Sequence, residues 1–380
     1  MTVAASHRSG LARAACVGGL GAILLGIAGQ VAAFPLKPSG PPVATGLDNP
    51  KGLTFGPDGT LYIAEAGHGG SGPCITGADG HPVCYGTTAA ITQVVKGVQR
   101  RIVSGLPSLA GANGFAATGP HDVSAVGGGA LLVPIGLGSD PANTAQGGVL
   151  HGTGLGTVIR VEGRSGQWKT LADVAAYEGA QNPDGGQPDT NPFGLLALPD
   201  RNLVADAGGN DVLQVTSSGV VSTVAVFPNQ LVQFPPGSGQ QIPMQAVPTA
   251  IAQGPNRHLY ISRLTGFPFP VGGSRIVEMD GAGIVHAITG FTNVVDLTFG
   301  RDGNLYVVEI STSGLATGQM DGDIWRVAPG ANDKSEGVKV AEVQAPGGAA
   351  FGPDGNLYVT AGTVVPSSAG GGVVLKFDVH

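Results

Sequence analysis

The sequence predicts an all-β protein: a six-bladed β-propeller with four antiparallel strands per blade, closed by an N-terminal strand that completes the last blade. Three observations predict it. One phrase, a short strand, a Pro-Asp-Gly turn and a return strand, recurs along the chain. It stands clearest at Phe55-Gly-Pro-Asp-Gly-Thr-Leu-Tyr-Ile63, Phe299-Gly-Arg-Asp-Gly-Asn-Leu-Tyr-Val307 and Phe351-Gly-Pro-Asp-Gly-Asn-Leu-Tyr-Val359. Weaker copies are Leu198–Val204 and Gln253–Ile261, and the most degenerate is Val126–Val133. The leucine of each return strand falls at Leu61, Leu131, Leu203, Leu259, Leu305 and Leu357. Those intervals of roughly 50 to 70 residues each accommodate a four-stranded sheet with variable loops. Finally, 66 glycines and 28 prolines fall at the repeated turns rather than aperiodically, with 42% hydrophobic residues between them, so the composition reads as ordered.

Residues 1–33 read as an export signal. His7, Arg8 and Arg13 give a positive start, Ala14 to Ala28 an apolar stretch, and Val31-Ala-Ala33 small residues for cleavage before Phe34. The apolar run is short for a membrane span, which argues against stable membrane insertion after cleavage. Secretion, or export to the periplasm, follows. Residues 34–42, rich in proline, form an extended lead-in, and 43–380 make the propeller. Val43–Leu47 resembles the segments that finish other blades and is expected to pair with the last one, which would otherwise have three strands and a raw edge.

Blade one has inner strands at 51–55 and 61–65 and outer strands at 90–96 and 100–104. Blade two runs from Pro120 to Val174, blade three from Pro192 to Phe227, blade four from Pro248 to Phe291, blade five from Val294 to Val343, and blade six from Pro346. Connections between strands one and two, and three and four, are short throughout. Those between strands two and three, and from blade to blade, are long: 66–88, 136–155, 175–191, 228–247, 264–273, 310–322 and 361–371. Alternating strand direction puts all the long ones on one face. Binding and chemistry sit on loops carried by a rigid scaffold, so the loop-rich face is where a small molecule or a protein partner is expected. With 12% charged residues and a net charge of −7, no phosphate-tracking surface is available and nucleic acid is excluded as a partner class.

Cys74 and Cys84 lie in one loop. In an exported protein a pair closing so short a loop reads as a disulfide rather than a metal pair. Aligning return strands places Glu65, Asp206, Arg263 and Glu309 at one equivalent position near the channel mouth. Aligning first strands places Gly52, Asp122, Gly194, Asp296 and Gly348 together, with Asn191 just before. Glu65, Asp122, Asn191, Asp206, Arg263, Asp296 and Glu309 are therefore the ligand-binding candidates. Carboxylate oxygens at this density suit a hard cation such as calcium, with Glu65, Asp206, Asp296 and Glu309 as ligands. The structural alternative is that these acids bond loop amides, and that Asp122 and Asp296 tie adjacent blades. His121, beside Asp122, is the candidate general base, against a hydrogen-bonded structural histidine. Lys51 stands at an aligned position and reads as an exposed side chain. Phe234, Phe267 and Phe269, each beside proline, form an apolar rim or pack on neighbouring loops.

The phrase Gly72-Pro-Cys74…Cys84-Tyr85-Gly86, together with Ile102–Leu109 and Pro134-Ile-Gly-Leu-Gly-Ser-Asp-Pro141, resembles the ScyD/ScyE family of exported bacterial proteins. The resemblance covers essentially the whole chain after the export signal. It implies a six-bladed propeller of the NHL type and, since the family carries no established reaction, no catalytic residue. More distantly, Gly46-Leu-Asp-Asn-Pro-Lys-Gly-Leu53 is similar to openings of quinone-dependent sugar dehydrogenases and of gluconolactonase-like calcium hydrolases. That similarity implies, as the alternative to a binding module, a calcium-dependent lactonase-like hydrolase with its site at the channel mouth.

Overall fold

A computed structural model describes residues 35–78, 80–162 and 165–379. The expected export signal and its cleavage point lie outside the described residues. Six antiparallel blades of four strands follow one another along the chain, each ordered from an inner to an outer strand, and the sheet of blade one carries a short fifth strand. Blade three shows the plan most simply: Pro192–Ala197, Asn202–Asp206, Asp211–Val215 and Val221–Val226 pair in chain order. Blade six consists of Ala349–Phe351, Leu357–Ala361 and Gly372–Phe377, and its outer strand is Ala44–Leu47, with Ala44 opposite Val374 and Leu47 opposite Gly372. The expected closure is present. It removes the exposed edge and ties the start of the domain to its end. The lead-in is extended and pinned as well, with Leu36 N donating to Val340 O at 2.6 Å and Ser39 N to Lys376 O at 2.7 Å.

The recurring phrase explains how the ring holds. In its turn the aspartate accepts the amide two residues on, as from Asn304 N to Asp302 Oδ1 at 3.1 Å and from Asn356 N to Asp354 Oδ1 at 3.2 Å. The other oxygen of that aspartate accepts the phenol of the return-strand tyrosine: Tyr306 at 3.2 Å and Tyr358 at 2.9 Å. Each tyrosine ring is met edge-on by the phrase's phenylalanine in the next blade. The centroid separations are 5.0 Å for Tyr260–Phe299, 4.9 Å for Tyr306–Phe351 and 4.9 Å for Phe55–Tyr358. The glycine after that phenylalanine is required by the tyrosine of its own blade, because a Cβ on Gly352 would lie 2.6 Å from the Tyr358 ring. One phrase thus builds the turn within a blade and the seam between blades. Among the described residues, buried apolar side chains gather accordingly into six larger clusters, each drawn from two adjacent blades, and a small seventh of Ala66, Ala110 and Ala117.

Three long connections carry more structure than expected. In blade one the outer strands lengthen to Pro82–Val95 and Val98–Ala110, beyond the expected 90–96 and 100–104, and their far end is capped by Cys74–Thr76. The Cys74–Cys84 disulfide joins that capping strand to the ribbon. The 175–191 segment opens with the helix Val174–Gln181, whose amide at Ala176 is capped by Asp173 at 2.8 Å. The 228–247 segment folds into a hairpin of Gln230–Gln233 and Gln241–Met244. No helix among the described residues is long and apolar enough to cross a membrane.

Candidate functional site

All six blades contribute the start of their first strand, or the end of their second, to one axial cavity of about 160 Å³ on the loop-rich face. Its wall is apolar over Phe193, Leu264, Val295, Ile310 and Leu315, and its polar groups are Lys51, His121, Asp122 and Asp296. Small residues make the narrowing possible. A Cβ on Gly52 would sit 2.1 Å from Asp122 Oδ1, so only glycine lets these first strands converge.

Of the seven ligand-binding candidates, the fold brings Asp122 and Asp296 to this cavity. Both act as inter-blade ties. Asp122 accepts Val123 N at 2.7 Å and Leu195 N of the next blade at 2.8 Å. Asp296 accepts Leu297 N at 2.8 Å and Ala349 N of the next blade at 2.6 Å. Burial pushes the carboxyl of Asp122 up to about 7 and, with Asp122 adding a like charge, that of Asp296 up to about 8.

Glu65, Asp206, Arg263 and Glu309 do end their return strands in equivalent positions, but their side chains turn into the blades and away from the funnel. Glu65 is fully buried; it accepts Asp48 N at 2.7 Å and Thr92 Oγ1 at 2.5 Å, and takes Arg101 through Nε at 3.0 Å and a terminal nitrogen at 2.6 Å. Glu309 repeats the device with Thr292 N and Lys334. Asp206 accepts Asn191 N at 2.6 Å, Thr190 Oγ1 at 2.5 Å and the amides of Gly208 and Gly209 at 3.1 Å. Arg263 is buried with its guanidinium 5.5 Å from the Phe227 ring centroid, and burial lowers it to about 10. Asn191 Oδ1 accepts Leu137 N at 3.2 Å, joining loops of blades two and three. Of the four expected calcium ligands, Glu65, Asp206 and Glu309 are engaged by amides, hydroxyls or cations within their blades, and Asp296 reaches the cavity.

His121 reaches the cavity wall, 4% exposed. Its ring lies 4.4 Å from that of Phe193, and Nδ1 is 3.3 Å from Pro192 O, so it carries its proton on Nδ1. Burial, helped by the Lys51 charge, lowers it to about 3. Such an imidazole holds a wall in place and is a weak base at neutral pH. Lys51 is the residue whose importance the sequence understated. Its ammonium faces the cavity and donates to Thr363 O at 2.8 Å, and burial lowers it to about 8. The aligned position that holds glycine or aspartate in other blades was visible; that the residue before it points to the axis was not. Leu315 enters from a short turn whose amide donates to Asn293 Oδ1 at 2.9 Å, a contact between loops with no local signature.

No protein-family model matches the chain, and no curated protein matches it. Solved structures similar to it include a candidate gluconolactonase, 12% identical, with a TM-score of 0.50 over 90% of this chain and 94% of that one. A streptogramin B lyase is 14% identical with a TM-score of 0.47, over 88% and 94%. Virginiamycin B lyase from Staphylococcus aureus is 13% identical with a TM-score of 0.45, over 89% and 87%. At 12% identity the first of these likenesses shows a shared fold and nothing more.

Proposed function

We propose that this chain is an exported propeller, of the ScyD/ScyE type, that binds a small molecule in its axial cavity, an apolar body with one anionic end. Lys51 carries the reading: an ammonium held in an apolar-walled cavity, with one backbone carbonyl as its hydrogen-bond partner. A desolvated ammonium gains more from an anion than one in water does, because the local dielectric is low. The cavity is of the size that takes a single ring, since a dry cavity of roughly 150 Å³ accepts benzene. Asp122 and Asp296 are committed to backbone amides, so Lys51 selects the charged end and the apolar wall accepts the rest. The hydrolase alternative has less support: Glu65, Asp206 and Glu309 are engaged within their blades, and burial lowers His121 to about 3.

Benzoate and benzyl alcohol are suitable probes, being alike in ring and different in charge. Calorimetric titration is expected to detect benzoate and not benzyl alcohol, and Lys51→Met is expected to abolish the difference. Equal binding of both probes, or benzoate binding that survives Lys51→Met, overturns the proposal.

A further inference from the structure

Away from the axis, blade three gathers five carboxylates beneath the helix Val174–Gln181: Glu178, Asp184, Asp189, Asp206 and Asp211. Two of them are left without partners in the interior. Glu178 is 1% exposed and Asp211 fully buried, and neither oxygen of either carboxylate makes a hydrogen bond. Asp189 Oδ1 and Asn182 Oδ1, in the loop after the helix, are also buried and unbonded. Buried polar atoms are almost always satisfied, and four orphan carboxylate oxygens on two side chains of like charge call for a positive group. The acids share one place. Asp206 and Asp211 are opposite each other in register, on either side of a turn through Gly208 and Gly209. A Cβ on Gly209 would lie 3.3 Å from Glu178 Oε2 and 3.5 Å from Asp206 Oδ2.

We infer that Glu178, Asp211 and the oxygens of Asn182 and Asp189 bind a hard divalent cation, calcium by preference, between the helix and blade three. All the donors are oxygen, which excludes a preference for soft metals and suits an ion that accepts many carboxylate and amide oxygens in irregular geometry. Asp206, held by three backbone amides and Thr190, is the fixed acid of the group. Among the described residues no group of three or more His, Cys, Asp or Glu side chains is arranged to hold a metal outright. Binding therefore includes an inward movement of Glu178 and Asp189, whose carboxylates repel one another until an ion stands between them. The helix that carries Glu178 and the loop that carries Asp189 lie outside the sheet ladder. The alternative occupant is the proton: burial and the charges of Asp206, Glu178 and Asp184 push Asp211 up to about 9.

The test is thermal melting of the purified protein at pH 7.5, in chelator and in millimolar calcium, with equilibrium dialysis of radioactive calcium on the same material. A rise in Tm on the order of 5 °C and about one ion bound per chain are expected. Asp211→Asn with Glu178→Gln should lose both while melting no lower than wild type in chelator, because it removes repulsion. Lys51→Met, in the axial cavity, should keep both. No bound calcium in wild type after verified removal and readdition, or an unchanged shift in the double variant, overturns the inference and leaves the proton as occupant.

Discussion

Phe55, at the end of the first strand of blade one, meets Tyr358 of blade six edge-on at 4.9 Å, although the two stand near opposite ends of the propeller sequence. The contact closes the ring with the same pair that joins blades four to five and five to six. Ring closure is therefore written in the repeat itself and reinforced by the strand Ala44–Leu47.

Phe55→Ala is expected to destabilise the protein by about 2–4 kcal/mol through lost apolar and edge-to-face contact. Tyr358→Phe should cost about 1 kcal/mol, the worth of its bond to Asp354. Urea denaturation checks both; equal effects of the two changes would contradict the division of roles.

Removing Glu65 separates structure from binding. Glu65→Ala leaves Asp48 N and Thr92 unsatisfied and Arg101 unpaired, which should cost about 3 kcal/mol. Benzoate affinity, measured below the lowered melting point, should stay within twofold of wild type. A large loss of affinity in a folded variant would return Glu65 to the funnel.

Anion binding should weaken as pH rises through about 8, where the Lys51 ammonium gives up its proton. The expected decline begins near pH 7, where Asp122 starts to gain charge in the same cavity, and steepens above 8 as Asp296 ionises and Lys51 loses its proton. Titration calorimetry across that range checks it, and an unchanged affinity at pH 9.5 would contradict it.

In chelator, stability should decline as pH rises from about 5 to 8. Asp122, Asp296 and Glu309 carry folded-state values of about 7, 8 and 8, above those of free carboxylates. Between the two values the unfolded chain has already released protons that the folded one retains, so raising pH favours unfolding. His121 acts in the opposite sense, its contribution being lost as pH falls from 6.5 toward about 3. Urea melts at pH 5.5 and 8 check the slope, and Asp296→Asn should reduce it.

Reduction of Cys74–Cys84 should cost at most about 2–3 kcal/mol, since it closes a ten-residue separation. Faster hydrogen exchange should be confined to the Cys74–Thr76 strand and the facing ends of Pro82–Val95 and Val98–Ala110. Exchange increases spread over the whole propeller would contradict a local role.

The sequence alone determined the blade count, the closure by Val43–Leu47, the loop-rich face and the pairing of Cys74 with Cys84. These rest on local chemistry: turn residues at fixed offsets, period-two strands and repetition. It also placed Glu65, Asp206 and Glu309 at equivalent positions. Only the tertiary structure decided where their side chains go, because the last residue of an inner strand points along the channel or back into its blade according to which amides and cations lie within reach. Glu65 is turned by Asp48 N and Arg101, Glu309 by Thr292 N and Lys334, and Asp206 by the amides around Gly208. Lys51 reaches the axis where Gly52 packs against Asp122 of the next blade, and Glu178 comes beside Gly209 because the helix in the connection from blade two to blade three lies against that turn. Both are contacts between residues far apart in sequence, and no local pattern encodes them.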